Sequence, residues 1–215
     1  MSVNDKNKKA FSYKNEDRRN KKFLNKNFNK SSSYMTNFSR SLFANTSFIA
    51  TKFKFCSFYG VKFESCLFKG TLFRKCNLTN AIFENCIIRA SNFNRSKIKD
   101  CKFYDCKILK NSKDVEKIPE SNLINTIVLQ NSPKISLFDP KLVEVVENLR
   151  SNAYIRKSQT LHRKKGLLDT VSLKILVSQY DEQFLIDNLP KLPSLISNDF
   201  HTLSYIQKKL NDLKI

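Results

Sequence analysis

Residues 61–95 read VKFESCLFKGTLFRKCNLTNAIFENCIIRASNFNR, and in this stretch a phenylalanine, leucine or isoleucine returns at every fifth residue. The same frame extends in both directions: 17 of the 18 positions counted in fives from Phe23 to Ile108 are large and apolar. The residue two places earlier is small at all 16 positions from Ser31 to Cys106. Helices repeat every 3.6 residues and strands every 2, so neither keeps a period of five on one face. The chain is therefore expected to turn a corner every five residues.

Four such corners close a square coil, with the large residue of each side pointing inward and the variable polar residues, such as Lys54 and Arg74, pointing outward. We place this β-helix at residues 31–130, with an extruded loop at 111–120 where the frame is interrupted. Residues 1–30 are predicted to be a basic, disordered tail, because Lys21 and Lys26 occupy the small inward position. Residues 131–215 are predicted to be an α-helical cap or assembly segment, whose first helix begins at Asp139 and Pro140.

The repeat resembles that of the pentapeptide-repeat family, which has a central Leu or Phe with a small residue two positions before it. Units that match as they stand are Cys66–Gly70, Cys76–Asn80 and Ala81–Asn85. The resemblance implies a mainly β fold, a right-handed quadrilateral β-helix, here with a C-terminal α-helical segment. It says much less about function, because one fold hosts many functions. Family members that protect DNA gyrase imitate duplex DNA with an acidic rod.

The charge of this chain has the opposite sign, with a formal net charge of +20. Residues 31–112 carry 14 basic and 4 acidic side chains, and residues 1–30 carry 10 and 3. This excess favours an anionic partner, either a nucleic acid, an acidic protein surface or an anionic membrane face. The alternative is that a Lys- and Asn-rich composition only reflects an AT-rich genome. The candidate binding residues fall on the side that includes Phe53, Phe73 and Phe93; they are Lys52, Lys54, Arg74, Lys75 and Arg95.

Nothing in the sequence predicts catalysis, a cofactor or a metal site. All six cysteines occupy the small inward position of the repeat, without a CxxC pair, and are expected to be buried, reduced thiols. His162 precedes the basic run Arg163–Lys165, which favours a solvated loop. No apolar stretch approaches the roughly 20 residues of a membrane-spanning helix. Reduced thiols and a polar N-terminus predict a cytoplasmic protein, with export by an unconventional route left open.

The sequence leaves three functions open. The first is a non-enzymatic adaptor that presents a basic rod to nucleic acid or an acidic protein, with a homodimer through the C-terminal helices as one mode of assembly. The second is a secreted bacterial effector in which residues 1–30 are a targeting tail. The third is a spacer without a charged partner. A topoisomerase-protecting DNA mimic is disfavoured by the net charge of +20.

Overall fold

The computed structural model describes residues 11–109, 111–163 and 165–214. The chain divides into two compact units, with the boundary after Asn131. The described part of the first unit consists of very short strands separated by corners, as expected where a strand must end every five residues. These strands are β1 Lys22–Leu24, β2 Ser32–Tyr34, β3 Leu42–Ala44, β4 Ser47–Ile49, β5 Lys52–Lys54, β6 Lys62–Glu64, β7 Leu67–Lys69, β8 Leu72–Arg74, β9 Ile82–Glu84, β10 Ile87–Arg89, β11 Lys102–Tyr104, β12 Lys107–Leu109, β13 Leu123–Ile124 and β14 Ile127–Leu129.

The strands stack in parallel into three sheets, one on each of three sides of the coil. The sheets have the orders β1-β3-β6-β9-β11-β13, β14-β12-β10-β7-β4 and β2-β5-β8. Single-residue bridges such as Asn37↔Ser57 hold the fourth side. Partners in the three sheets lie 20 residues apart, as in Phe53↔Phe73 and Lys54↔Arg74. The quadrilateral β-helix predicted from the five-residue period is confirmed.

The interior of the rod is a column of aromatic rings. Phe53, Phe73 and Phe93 stack at centroid distances of 5.3 and 5.2 Å, and all three are buried. The small residues beside them bond to backbone carbonyls: the Thr51 hydroxyl donates to the Phe28 carbonyl at 2.8 Å. The last residue of nearly every repeat adopts a left-handed conformation, as Asn85 does at φ 51°. Asn and Gly tolerate this conformation best, which explains their frequency at the corners.

The predicted disordered tail is wrong for residues 11–30, which belong to the rod. Strand β1 pairs in register with β3, and the Phe11 ring stacks on Phe28 at 4.7 Å. Lys21 and Lys26 are exposed despite their place in the repeat. The first coil can therefore form without burying a cation, which was the physical objection to it. The rest of the predicted tail, residues 1–10, lies outside the described residues.

The loop predicted at 111–120 is also different from the expectation. Two short 3-10 helices occupy Val115–Lys117 and Glu120–Asn122, and the side chains of Val115 and Ile118 join the buried core of the rod. The Phe93 amide donates to the Lys113 carbonyl at 3.4 Å. This segment is thus an irregular continuation of the coil rather than an extrusion, because its two apolar residues cover core that would otherwise be open.

The second unit is α-helical, as predicted. Asp139 caps its first helix by accepting a hydrogen bond from the Lys141 amide at 2.7 Å. His162 is buried, and its Nε2 lies 2.8 Å from the Val146 carbonyl, so the expected solvated loop is wrong there. The helices are α1 Pro140–Asn148, α2 Ala153–Ser158, α3 Thr170–Gln179, α4 Glu182–Asn188, α5 Leu192–Leu195 and α6 Leu203–Asn211.

Candidate anion-binding face

The five cations singled out from the sequence lie on one side of the rod, the side formed by β2, β5, β8 and the corners that follow them, here called the basic side. Lys52 and Lys54 are in β5, and Arg74 is in β8. Since side chains alternate along a strand, the inward Phe53 and Phe73 force their neighbours outward. Lys75 and Arg95 occupy the corners, both left-handed at φ 53°. The register pairs Lys54 directly with Arg74.

The cations of the basic side lack counter-ions. In the described part of the chain, none of the five forms an ion pair with a carboxylate. Lys62, on the opposite side of the coil, shows the contrast, because its ammonium lies 2.8 Å from Glu84 and 3.4 Å from Glu64. The hydrogen bond that Lys62 donates to Glu84 raises the pKa of Lys62 above its ordinary value. That side compensates its own charge, and the basic side does not.

Stacking like charges on consecutive coils has a cost. Parallel strands lie about 4.8 Å apart, and two unit charges at about 4 Å repel by about 1 kcal/mol even in bulk water. Lys54 and Arg74 are held on such neighbouring strands by the backbone register. An anion placed between them would exchange this repulsion for two attractions. The geometry therefore suits a polyanion with repeated charges better than a single small anion.

A second side, formed by β4, β7, β10, β12 and β14, also carries several cations. Its exposed cations among the described residues, Lys26 and Lys30, belong to the first coil. Further along the rod, Arg89 is buried, while Lys69 and Lys107 are only partly exposed. By comparison, Lys52, Arg74, Lys75 and Arg95 are all exposed on consecutive coils. The basic side thus presents the more continuous accessible charge.

The structure adds three residues to this face that the sequence analysis missed. Lys14 pairs with Tyr34, which in turn pairs with Lys54, so Lys14 extends the same column. Tyr34 and Phe55 are exposed aromatic residues on the same side. Counting the frame back from Phe23 to the inward Tyr13 identifies Lys14, but the β-helix predicted from the sequence begins only at Ser31.

The six thiols are all buried and unpaired in disulfides. Their Sγ atoms lie near backbone carbonyls of the preceding coil, as between Cys66 and Phe43 at 3.2 Å and between Cys101 and Leu78 at 3.1 Å. Burial raises the pKa of the Cys101 thiol to about 12, and burial also raises the pKa values of Cys76, Cys86 and Cys106. A neutral, enclosed thiol is a poor nucleophile. The hydrogen bond with Cys76 lowers the pKa of Cys56, but this thiol is buried like the other five, so the cysteines fill space in the rod.

We expect the native protein to resist iodoacetamide at all six cysteines near neutral pH, because alkylation requires an accessible thiolate. Mass spectrometry after brief exposure should find unmodified protein, and the same exposure in denaturant should modify every site. A Lys54→Cys variant, which places a thiol on an outward strand position, serves as the reactive control. Rapid labelling of native Cys76 or Cys86 would contradict this assignment.

Two further observations concern metal binding and membrane-spanning helices. Among the described residues, no group of three or more potential metal ligands is close enough to hold a metal ion. Within the same residues, no helix is both long and apolar enough to cross a membrane.

The five-residue period, the inward aromatic column and the four-sided coil define a β-solenoid built from pentapeptide repeats. Residues 36–112 match the family model described as "Pentapeptide repeat region", so this part of the chain is a pentapeptide-repeat region. No significant match exists among curated proteins.

Solved structures that resemble the chain include a pentapeptide repeat protein of the Arabidopsis thaliana thylakoid lumen, at 13% identity and a TM-score of 0.38, covering 74% of this chain and 90% of that one. The plasmid-mediated fluoroquinolone resistance protein QnrB1 matches at 17% identity and a TM-score of 0.24, covering 46% and 56%. HetL, a pentapeptide repeat protein involved in heterocyst differentiation regulation in the cyanobacterium Nostoc, matches at 8% identity and a TM-score of 0.23, covering 49% and 65%.

Proposed function

We propose that this protein is a non-enzymatic binding protein whose basic side holds the phosphate backbone of a nucleic acid. The observation that carries the proposal is a column of cations that have no counter-ion among the described residues, with the partly exposed Lys54 and the exposed Arg74 at its centre. A rod with no charged partner has no reason to keep such a column, since interspersed acids would relieve the repulsion. Lys62 with Glu64 and Glu84 shows that this rod can do so on another side.

The regular spacing of the cations along the rod supports a nucleic acid, rather than an acidic protein surface, as the partner. Phosphates recur along a backbone at a regular interval, and the cations recur along the rod at the inter-strand spacing. Arg74 and Arg95 add planar groups that can donate two hydrogen bonds to one phosphate. An acidic protein surface would instead have to match this column with carboxylates that repel one another.

Two alternatives lose support. Imitation of duplex DNA, which the likeness to a fluoroquinolone resistance protein brings to mind, would require an acidic rod, whereas residues 31–112 carry 14 basic and 4 acidic side chains. The hypothesis of a secreted effector depended on a disordered tail at residues 1–30. Residues 11–30 instead form the first coil of the rod. A homodimer through the C-terminal helices and a cytoplasmic location stay predictions.

The proposal predicts binding that weakens steeply with salt. Fluorescence anisotropy with a labelled oligonucleotide should give a logarithmic affinity that falls linearly with the logarithm of salt concentration between about 50 and 200 mM. If each of the five cations neutralises one phosphate, the slope for a single strand is about −3.5. Polyglutamate is the competing anion, and it should displace the oligonucleotide poorly.

Absence of binding at the lowest salt concentration would refute the proposal. Tighter binding of polyglutamate than of the oligonucleotide would assign the face to an acidic protein partner instead.

A further inference from the structure

Phe55 is a large apolar side chain in a place where the fold does not need one. It occupies the corner after β5 with φ 55°, a left-handed conformation that is unfavourable for a bulky residue. The neighbouring Phe53 already fills the inward position of this repeat. Apart from Met35, the other left-handed corners at this position of the repeat hold Asn, Gly, Ser, Ala or a charged residue, including Asn45, Gly60 and Lys75.

The ring of Phe55 forms part of an aromatic cluster at the edge of the basic side. Tyr34 and Phe55 are 39% and 45% exposed, and their ring centroids lie 5.6 Å apart at an interplanar angle of 73°. The Lys75 ammonium lies 5.2 Å from the centroid of the Phe55 ring. Met35, also at a left-handed corner, is exposed in the coil before Phe55. Cations and aromatic rings are thus interleaved within one surface.

This arrangement is concentrated on the basic side. In the described part of the rod, the exposed aromatic residues are Tyr34, Phe55 and Tyr59. Tyr59 lies on the neighbouring side, where its hydroxyl accepts a hydrogen bond from the Asn80 amide at 3.5 Å. The strained backbone at Phe55 and the exposure of two contacting rings indicate a binding site. The surrounding positive charge favours an anionic ligand.

We propose that Tyr34 and Phe55 stack against bases, so that the partner of the basic side is a single-stranded nucleic acid. This inference rests on the proposed function and narrows it. Exposed aromatic rings beside a track of cations recognise unpaired bases, because every base offers a π-face once it is out of the duplex stack. Base faces in a duplex are covered by neighbouring bases, so a duplex would contact only the cations.

The test compares single strands with a duplex, using a Tyr34→Ser/Phe55→Asn double variant. Asn is accepted at this corner in other coils, and Ser already occupies the two positions before Tyr34 in β2, so both replacements suit the fold. Tyr59→Ser is the matched control, since it removes a ring of equal exposure from another side. Labelled oligothymidylate and oligouridylate of about 20 nucleotides, longer than common site sizes, separate DNA from RNA as the source. A DNA duplex of equal length is the third ligand.

We expect the double variant to bind single strands at least about five-fold more weakly at constant salt, the effect of losing one stacked base. Its salt dependence should be unchanged, because stacking neutralises no phosphate. Duplex affinity, and all affinities of the Tyr59→Ser control, should change by less than about two-fold, which is roughly the scatter of such measurements.

Equal losses for duplex and single strands, or no loss for either, would overturn the stacking inference while leaving a phosphate-binding basic side intact. If the wild-type protein bound none of the three ligands at low salt, the proposed function itself would fail, and the inference with it.

Discussion

Replacing Phe73 with alanine is expected to destabilise the β-helix by about 3–5 kcal/mol. Phe73 is fully buried and lies at the middle of a stack, 5.3 Å from Phe53 and 5.2 Å from Phe93. Its ring also meets the edge of Phe58 at 5.5 Å. Removing it leaves a cavity that the neighbouring coils cannot close, because the backbone register fixes their spacing. Each coil contacts only its neighbours, so the loss should weaken both halves of the rod.

Hydrogen exchange measured across a urea series on peptides covering residues 51–95 would report the rod separately from the helical unit. Leu72→Ala is the control, since Leu72 precedes Phe73 in β8 but points outward and is only partly buried. It should cost about 1 kcal/mol or less. A Phe73→Ala loss no larger than that of the control would contradict the inward stack.

The five-residue period was sufficient to predict the fold because it constrains every coil in the same way. Each inward Phe is required by the same geometry, so Phe63 and Phe83 could be placed without knowing their partners. The ends of the rod were harder to predict from the period. Lys21 and Lys26 break the rule for buried positions, yet they are tolerated because they are exposed in the first coil. The period gives no information on whether an inward-facing position is actually enclosed.

The candidate site was predictable in part. The position of Lys54 above or below Arg74 follows from the 20-residue coil, and the structure places them in register. The Tyr34–Phe55 contact does not follow, because it joins an outward strand position to a corner of the next coil and depends on side-chain conformation. The absence of counter-ions could not be predicted either, because it depends on side-chain geometry: Lys62 contacts Glu84 across coils, whereas Lys54 contacts no carboxylate among the described residues.

Reversing three charges of the basic side, Lys52→Glu, Lys54→Glu and Arg74→Glu, is expected to weaken nucleic-acid binding by about 100-fold or more at 0.1 M salt. Each phosphate neutralised on a single strand contributes a factor of about five at that salt concentration, from a slope of about −0.7 per contact. Three lost contacts therefore account for about 100-fold, and the new carboxylates add repulsion. All three residues lie in strands, so no left-handed corner is disturbed.

The matched control is Lys22→Glu, Lys97→Glu and Lys102→Glu, three exposed cations on the other sides of the rod. Each set lowers the formal charge from +20 by six units, to +14. Long-range attraction to a polyanion is therefore reduced to a similar extent in both variants. Any difference between them reports where the partner binds.

The most direct measurement is the ratio of the dissociation constants of these two triple variants for one labelled oligonucleotide at 0.1 M salt. A binding site on the basic side predicts that its variant binds at least about ten-fold more weakly than the control variant, since only the former loses phosphate contacts. Equal dissociation constants would mean diffuse attraction to the net charge, and would contradict a site built from Lys52, Lys54 and Arg74.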